Sequence, residues 1–392
     1  MPSDSQSLLL KDLESALYAL ELRTQRRALT EIRGVNLCSN DYLGLSESPA
    51  LRQAVIDAVA ATSRVGATGS RLLSGHTQDW ENLEDEFARF AGTESALFFG
   101  SGYAANLGLI ASLVAQDDVV FSDELNHASI IDGIRLSKAR KIIYPHLDLH
   151  ALEAVLRAEA GSRGRKVVVT ESVFSMDGDI APLEKIVDLA ERYDAVVIVD
   201  EAHATGVHGE RGRGLAAAAD EIAGRVFAVV HTCGKALASA GAFVCGSKVL
   251  KEHLINHART FIFSTALPPY IAGQIRAAMR LSNAMDQQRA FLLENAKKFA
   301  AALRNDGWKV SETESQIVPV IIGGNAETLA AAAELQEKGF AVKAIRPPTV
   351  AAGQSRLRLS LTTLISPEEL TRLHTALTGW RTKNMHAAGC RA

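Results

Sequence analysis

Two side chains that can act together in catalysis, Asp200 and Lys235, each follow an apolar segment of the sequence. The run Ala195-Val-Val-Ile-Val199 leads directly into Asp200, and the run Val226-Phe-Ala-Val-Val230 ends shortly before Lys235. Apolar, β-branched runs of this kind predict fully buried strands of a parallel sheet, whose ligands bind beyond the carboxyl ends of the strands. We therefore expect the acid and the lysine to lie at the same edge of one sheet.

An acid and a lysine at neighbouring strand ends are typical of a site for pyridoxal 5'-phosphate (PLP). The lysine amine can form a Schiff base with the PLP aldehyde, and the acid can keep the pyridine nitrogen protonated, so that the ring acts as an electron sink. Taken singly, Asp200 is more simply interpreted as a helix cap and Lys235 as a solvated loop lysine. Their combination at two predicted strand ends favours PLP as the cofactor.

A glycine-containing turn provides a candidate phosphate site. The predicted strand Ser95-Ala-Leu-Phe-Phe99 is followed by Gly100-Ser-Gly-Tyr-Ala-Ala-Asn106, which predicts a tight turn and the start of a helix. Free backbone N–H groups and the helix dipole bind phosphate at such a position. The segment is neither a GxGxxG nor a GxxxxGK[ST] motif, so it carries no nucleotide-binding fingerprint. The alternative to a phosphate site is a simple tight turn.

Composition and charge argue against several classes of protein. The chain of 392 residues is 47% hydrophobic and 22% charged, which is ordinary for a globular protein. Its net charge of -3 and its lack of basic runs argue against a nucleic-acid partner. The four cysteines show no CxxC spacing, so neither a disulfide framework nor a metal site is indicated. No signal peptide and no membrane-spanning apolar run is visible, which favours a cytoplasmic protein without a membrane partner.

The order of predicted elements indicates an α/β protein in several parts. Alternating strands and helices from Trp80 onward predict a mostly parallel sheet covered by helices. We expect an N-terminal helical arm (1–45), a large domain (46–284) and a small α/β C-terminal domain (285–392). In the arm, leucines at helical spacing predict an amphipathic helix over residues 8–29 that needs a partner surface.

Six sequence blocks resemble the α-oxoamine synthases, a family of PLP enzymes with the aspartate-aminotransferase-type fold. The blocks follow the family's order, which makes the set more specific than any single motif. They are Ser39-Asn-Asp-Tyr-Leu-Gly-Leu45, Gly69-Ser-Arg-Leu-Leu-Ser-Gly75, Phe174-Ser-Met-Asp-Gly-Asp179, Asp200-Glu-Ala-His-Ala-Thr-Gly206, Thr232-Cys-Gly-Lys235 and Phe263-Ser-Thr-Ala-Leu-Pro-Pro269. The resemblance implies the PLP-dependent transferase fold type I, with a large, mostly parallel seven-stranded sheet domain and a smaller α/β C-terminal domain. It also implies a homodimer with the active site at the interface.

The resemblance further implies roles for individual residues around the cofactor. Lys235 becomes the Schiff-base lysine, Asp200 the partner of the pyridine nitrogen, and His127 a catalytic residue that stacks on the ring and meets the substrate. The residues implied to hold the remaining groups of PLP are Gly102 and Tyr103 at the phosphate, His203 at the ring hydroxyl, and Ser175 and Thr232 as further contacts to the cofactor. Thr265 is implied to reach the phosphate of the cofactor in the partner subunit.

Four residues are implied to contact the substrates, namely Arg23, Asn40, Arg346 and Thr349. The resemblance places Arg346 at the carboxylate of the amino-acid substrate and Arg23 near the distal carboxylate of an acyl chain. Arg23 belongs to a basic cluster with Arg26 and Arg27. For this cluster, a solvated helix face remains an alternative to binding of an anionic substrate tail.

One further block indicates a particular reaction within the family. The stretch Ala344-Ile-Arg-Pro-Pro-Thr-Val350, followed by Ser355-Arg-Leu-Arg-Leu-Ser-Leu-Thr362, resembles members that condense L-alanine with a pimeloyl thioester in biotin biosynthesis, releasing carbon dioxide and the thiol carrier. The carrier can be coenzyme A or acyl carrier protein. The alternatives are an α-oxoamine synthase that uses glycine or serine with another acyl-CoA, a PLP aminotransferase, a PLP-binding regulatory domain, and a catalytically inactive subunit of a hetero-oligomeric synthase.

Overall fold

The computed structural model describes residues 4–217, 221–312 and 314–389. The helices are α1 (Asp4–Leu22), α2 (Pro49–Ala61), α3 (Gln78–Ala91), α4 (Gly102–Leu113), α5 (Ala128–Ser137), α6 (Leu149–Ala158), α7 (Leu183–Arg192), α8 (Lys248–His257), α9 (Arg259–Ile262), α10 (Tyr270–Asn283), α11 (Asp286–Asn305), α12 (Asn325–Glu337) and α13 (Pro367–Gly389). The strands are β1 (Val35–Asn36), β2 (Ser95–Phe99), β3 (Val119–Asp123), β4 (Arg140–Tyr144), β5 (Lys166–Glu171), β6 (Ala195–Asp200), β7 (Ala228–Thr232), β8 (Ala242–Gly246), β9 (Ile317–Gly323), β10 (Phe340–Ala341), β11 (Ala344–Ile345) and β12 (Ser355–Ser360).

The large sheet has seven strands in the order β2-β8-β7-β6-β5-β3-β4. The pairs from β7 through β4 are all parallel, whereas β8 runs antiparallel to both of its neighbours. The predicted α/β fold with a mostly parallel seven-stranded sheet is therefore confirmed. Because β5, β6 and β7 are parallel and adjacent, their carboxyl ends lie side by side at one edge of the sheet.

Helices cover both faces of this sheet, and its strands are apolar because each face contributes to a core. Ile198 belongs to the core that includes α4 and α8, whereas Val197 and Val199 belong to the core on the opposite face. The prediction that the whole apolar run of β6 is buried is wrong at Val196, which is 39% exposed. Val196 shares a face with Ile198, so the helices on that face do not cover the amino end of β6.

The C-terminal part of the chain forms its own antiparallel sheet in the order β11-β12-β9. The short strand β1 pairs in parallel with β10, with Val35 opposite Phe340, so the segment after α1 attaches to this C-terminal part. The boundary expected near residue 285 falls between α10 and α11, and we propose the division into arm, large domain and small domain on this basis.

The N-terminal helix is shorter than the sequence predicts. The helix was expected over residues 8–29, but α1 ends at Leu22, and Thr24 adopts a left-handed conformation with a φ of 52°. The chain turns there because the Arg23 carbonyl accepts a hydrogen bond from Asn325 Nδ2 and Thr24 contacts Arg346. None of the residues of α1 is buried, so its leucines face solvent in the single chain.

A loop between β5 and α7 joins the large sheet to the C-terminal part. Ser311 Oγ donates to the Asp177 carbonyl at 2.8 Å, and Ser315 Oγ donates to the Gly178 carbonyl at 2.7 Å. The guanidinium of Arg356, on β12, forms an ion pair with Asp177. These contacts fix the loop at the same edge of the sheet as the ends of β5, β6 and β7.

His146 holds the far end of the same loop. Its Nδ1 lies 2.9 Å from Asp123 Oδ1 and its Nε2 lies 3.2 Å from Asp179 Oδ2. Burial acts to lower the pKa of His146, but the hydrogen bonds and charges of the two carboxylates raise it to about 9. The ring is therefore a cation that bridges β3 to the loop at neutral pH.

We expect the substitution His146→Gln to destabilise the protein in a pH-dependent way. Because the folded-state pKa lies above the unfolded value of about 6.5, the stabilisation is complete below about pH 6.5 and is lost as the pH rises through about 9. Urea unfolding is expected to show a loss of about 1–3 kcal/mol near pH 6 and a smaller loss near pH 9.5. An equal loss at both pH values would contradict the assignment of a charged His146.

Candidate active site

A cavity of about 210 Å³ lies at the carboxyl edge of the seven-stranded sheet. A single buried water needs about 10–15 Å³, so the cavity can hold a much larger ligand. The residues lining it are Gly102, Tyr103, Asn106, His127, Ser129, Glu171, Asp200, Ala202, His203, Val230, Thr232 and Lys235. Seven of these were proposed as site residues from the sequence, and the structure brings them together: Gly102, Tyr103, His127, Asp200, His203, Thr232 and Lys235.

Asp200 ends β6 and is connected to His127 by a chain of hydrogen bonds. Asp200 Oδ1 accepts from the Ala202 backbone N–H at 2.8 Å, and Oδ2 accepts from Asn106 Nδ2 at 2.6 Å. Asn106 Nδ2 also donates to Ser129 Oγ at 3.0 Å, and Ser129 Oγ lies 2.8 Å from His127 Nδ1. These hydrogen bonds fix the carboxylate and the imidazole relative to each other. Asn106 and Ser129, which connect the two groups, were not predicted from the sequence as site residues.

His127 caps the amino end of α5 and presents a neutral ring to the cavity. Its Nδ1 accepts a hydrogen bond from the Ser129 backbone N–H at 3.3 Å, which leaves the proton of the neutral ring on Nε2. Burial lowers the pKa of His127; the Asp200 carboxylate opposes this shift and the Lys235 cation adds to it. The ring can therefore donate a hydrogen bond to a carbonyl oxygen without carrying a charge.

Lys235 follows β7, the strand that pairs with β6, and its side chain lines the cavity. Within the part of the chain that the structure describes, its Nζ has no hydrogen-bond or ion-pair partner. Burial lowers the pKa of Lys235 to about 8, although Asp200 and Glu171 act in the opposite direction. Lowering the pKa makes the neutral, nucleophilic amine far more accessible near neutral pH than it is in a solvated lysine, although the charged form still predominates at pH 7.

His203, just after β6, is held by residues from distant parts of the sequence. The Tyr42 hydroxyl lies 2.7 Å from His203 Nδ1 and also bonds to Asn40 Oδ1 at 3.0 Å. Gln316 Nε2 donates to the His203 carbonyl at 2.8 Å. Burial lowers the pKa of His203 well below its usual value, and the cations of Lys235 and Arg358 lower it further. The predicted residue Asn40 thus reaches the site only through Tyr42.

The amino end of α4 lies beside Thr232 at the mouth of the cavity. Ser101 Oγ caps α4 by accepting from the Ala104 N–H at 3.1 Å. The first backbone N–H groups of an α-helix, here those of Gly102 and Tyr103, have no acceptor within the helix. A Cβ atom on Gly102 would lie 3.6 Å from Thr232 Oγ1, so the turn is close to the strand end. The arrangement fits the predicted phosphate site.

Five of the predicted residues do not line the cavity, in addition to Asn40. The Ser175 carbonyl accepts from Arg358 Nε, and Thr265 is exposed and forms an isolated β-bridge with Ser70. The other three, Arg23, Arg346 and Thr349, form a separate cluster near the end of α1.

This separate basic cluster joins the N-terminal arm to the loop after β11. Arg346 donates to the Thr24 carbonyl, and Arg27 donates to Thr349 Oγ1 at 3.3 Å. Burial lowers the pKa of Arg346, and the charge of Arg27 lowers it further, so two guanidinium groups lie close together. Such a pair attracts a carboxylate.

Arg358, on β12, is a further candidate residue that was not among the predicted site residues. Its side chain donates to the Ser175 carbonyl, to Ser360 Oγ and, at 3.4 Å, to the Tyr42 hydroxyl. Arg358 is 8% exposed and has no carboxylate partner among the described residues. A buried, unpaired guanidinium is costly, and it is a candidate for binding an anionic group. The alternation of arginine and leucine in the block after residue 355 was the only available signal.

The donor set fits PLP. The site contains an amine of lowered pKa, a buried carboxylate, a neutral histidine and a helix amino terminus around one cavity. In addition, Asn106 Oδ1 and Glu171 Oε1 are buried at this cavity without a hydrogen-bond partner in the described chain. Unsatisfied polar atoms of this kind are typical of a site that is completed by a ligand.

Comparison with known proteins identifies the class. The family model for aminotransferase class I and II matches residues 32–377. The chain therefore belongs to the aminotransferase class I and II family, and it is a PLP-dependent enzyme.

Curated relatives place the chain more closely. It is 47% identical over 345 residues to the 8-amino-7-oxononanoate synthase of Geobacter sulfurreducens, covering 88% of each chain. It is 43% identical over 368 residues to that of Trichlorobacter lovleyi, covering 93% of each. These relatives confirm the resemblance that the sequence blocks indicated.

Solved structures confirm the fold. The 8-amino-7-oxononanoate synthase of Francisella tularensis matches with a TM-score of 0.77 and 29% identity over 90% of this chain and 99% of the other. The serine palmitoyltransferase of Sphingomonas wittichii matches with a TM-score of 0.85 and 31% identity over 97% and 98% of the two chains.

Proposed function

We propose that the protein condenses L-alanine with a pimeloyl thioester to give 8-amino-7-oxononanoate, carbon dioxide and the free thiol carrier, a step of biotin biosynthesis. The observation that carries this proposal is the convergence of Lys235, Asp200 and His127 on one cavity. The names of relatives at 43–47% identity support the choice of alanine and pimeloyl substrates.

The chain's own residues divide the work of the reaction. Bound PLP supplies an electron sink for the charge that develops at the amino-acid Cα. Lys235 Nζ, in its neutral form, removes the α-proton, and Asp200 keeps the pyridine nitrogen protonated. His127 Nε2–H donates a hydrogen bond to the thioester carbonyl oxygen as negative charge builds on it. Backbone N–H groups of Gly102 and Tyr103 hold the phosphate.

Substrate carboxylates require positive groups, and the chain offers two sets. We assign Arg346, Arg23 and Thr349 to substrate binding. Arg346 and Arg27 concentrate positive charge outside the cavity, and Arg23 precedes Thr24, whose carbonyl Arg346 contacts. Arg358 is a second candidate for the alanine carboxylate, because its buried charge is close enough to lower the pKa values of both His203 and Lys235. Asn40 acts through Tyr42.

Thiol release by the PLP-loaded protein tests the proposal. We expect release with L-alanine and pimeloyl-CoA, and none above background with glycine plus acetyl-CoA or L-serine plus palmitoyl-CoA. A preparation of the Lys235→Ala variant provides the blank for thioester hydrolysis. Release confined to another pair would move the substrate assignment and keep the chemistry. Release with pimeloyl-acyl carrier protein alone would change only the carrier.

The second candidate is another α-oxoamine synthase that uses glycine or serine. The structural match to a serine palmitoyltransferase, at a TM-score of 0.85, supports this second candidate. Its identity of 31% is lower than the 43–47% identity to the 8-amino-7-oxononanoate synthases, so we rank it second.

We propose a homodimer as the working assembly. In the single chain, Phe263 is 70% exposed and Leu73 is 84% exposed, although both belong to segments that bridge at Ser70 and Thr265. Large apolar side chains at such exposure are typical of an interface. Thr265, on the same surface, can then contribute to the phosphate site of the partner subunit.

We also propose a cytoplasmic location. Cys38, Cys233 and Cys245 are free thiols, which accords with a reducing compartment. Among the described residues, no helix combines the length and the apolar character needed to cross a membrane.

A further inference from the structure

Glu171 places a second carboxyl group at the cofactor cavity, and the reaction described above does not use it. It ends β5 and pairs in register with Asp200, which ends β6, so the two acids are neighbours across a parallel ladder. Glu171 is 2% exposed and lines the cavity, and its Oε1 has no hydrogen-bond partner within the described residues. Two carboxylates side by side in a buried cavity repel each other, and one of them retains its proton.

The hydrogen bonds decide which of the two acids remains ionised. Both oxygens of Asp200 accept from N–H donors, the Ala202 backbone and the Asn106 side chain, and neither donor can accept a carboxyl proton. Glu171 has an oxygen free of such donors and can carry a proton there. Burial and the charge of Asp200 raise the pKa of Glu171 to about 8. The proton therefore lies on Glu171 at neutral pH.

The groups that face Glu171 come from four elements. They are Asp200 at the end of β6, Lys235 after β7, the His127 backbone at the start of α5 and Asp123 at the end of β3. The acids raise the pKa of Glu171, whereas Lys235 and the His127 N–H lower it. Glu171 and Lys235 also influence each other reciprocally, because an ionised Glu171 raises the pKa of Lys235.

We propose that Glu171 is the proton-holding residue of the PLP site. As a neutral carboxylic acid, it leaves Asp200 as the single anion facing the pyridine nitrogen. Because Glu171 is neutral, the Lys235 amine also has one carboxylate fewer beside it, and a second carboxylate there would favour the protonated amine. Glu171 is a positioning residue in this scheme, because it acts through Asp200 and Lys235. The inference depends on PLP as the cofactor and is independent of the identity of the amino-acid and acyl substrates.

Infrared difference spectroscopy on the protein without PLP gives a direct test. We expect the C=O band of a protonated carboxyl group near pH 6 to disappear by about pH 10. The contribution of Glu171 to this band should be missing from the Glu171→Gln variant, whereas the contribution of Glu201 should remain. The matched control is Glu201→Gln, because Glu201 is a second buried acid and burial raises its pKa to about 7. Glu201 accepts hydrogen bonds from the Leu215 and Ala216 N–H groups, outside the cavity. In Glu201→Gln, the band of Glu171 should remain, and its absence there would overturn the proposal.

The visible absorption of the PLP-loaded protein gives the second test. Near pH 6.5, Glu171→Gln should bind PLP within about threefold of the wild-type affinity, because a neutral amide replaces a neutral acid. Above about pH 8, the spectra should diverge, and the pH-dependent change in absorption should shift to lower pH in the variant, because the nitrogen of Lys235 no longer has an anionic neighbour. If Glu171→Gln, shown to be folded by circular dichroism, loses PLP near pH 6.5, Glu171 acts as an anion and the proposal is wrong. If the variant does not fold, the infrared comparison of wild type with Glu201→Gln decides alone.

Discussion

The Lys235→Ala variant is expected to lose at least about 10⁴-fold in turnover while remaining folded. The substitution removes both the nucleophile for the PLP aldehyde and the base that takes the α-proton. Alanine leaves no side chain that reaches the cavity, and Lys235 is the only lysine among the described residues that line it. The visible absorption band of the PLP-loaded protein should also vanish. Thiol release and the absorption spectrum measure the two effects separately.

Two controls make the result specific to Lys235. Borohydride reduction of the wild-type protein should fix PLP to the peptide that contains Lys235, and it should fix none in the variant. Lys297→Ala removes an exposed lysine that pairs with Glu314 and does not line the cavity, and it should leave turnover unchanged. A variant at Lys235 that keeps a borohydride-reducible band would show that another amine holds the cofactor.

The Asp200→Asn variant is expected to retain PLP and to lose about 10²–10³-fold in turnover. The neutral amide can no longer favour the protonated pyridine nitrogen, so the electron sink weakens. The amide also has only one oxygen, whereas Asp200 accepts from both Ala202 N–H and Asn106 Nδ2. At least one of these hydrogen bonds is therefore lost. The kcat for thiol release and the PLP affinity measured by absorption titration check the two parts of this prediction.

The neighbouring residue Glu201 offers a matched comparison. It is fully buried and accepts from the Leu215 and Ala216 N–H groups, but it does not line the cavity. Glu201→Gln should therefore reduce the unfolding temperature and leave kcat close to the wild-type value. Near-normal turnover in Asp200→Asn, or an equal loss in both variants, would refute a role for Asp200 at the cofactor.

Local sequence signals were sufficient for most of the large sheet. The apolar runs that became β6 and β7 are long, and each leads to a functional residue, so the positions of Asp200 and Lys235 could be predicted. Strand β8 was not predicted, because its apolar residues in Ala242–Gly246 are bounded by Gly241 and Gly246, which indicate a turn or loop. The end of α1 was also wrong, because contacts with Asn325 and Arg346 determine where the chain turns.

Other site residues could not be found from local signals. Glu171 was not predicted as a site residue, since the sequence does not show that it is in register with Asp200. Tyr42, near the amino end of the chain, contacts His203, and Arg358, near the carboxyl end, contacts Tyr42. Their positions depend on how the C-terminal sheet packs on the large one, and periodicity carries no such information.

The contact between Tyr42 and Arg358 has a consequence for folding. It closes a loop of 316 residues, one of the longest sequence separations in the protein. Contacts of such separation form late, because the entropy of loop closure opposes them until the intervening elements are in place. The large sheet can therefore form, with Asp200 and Lys235 at its edge, before the hydrogen bond between Tyr42 and His203 forms. In a newly synthesised chain, Lys235 should therefore reach its position at the sheet edge early. The cofactor site should become competent for binding only when both ends of the polypeptide have docked.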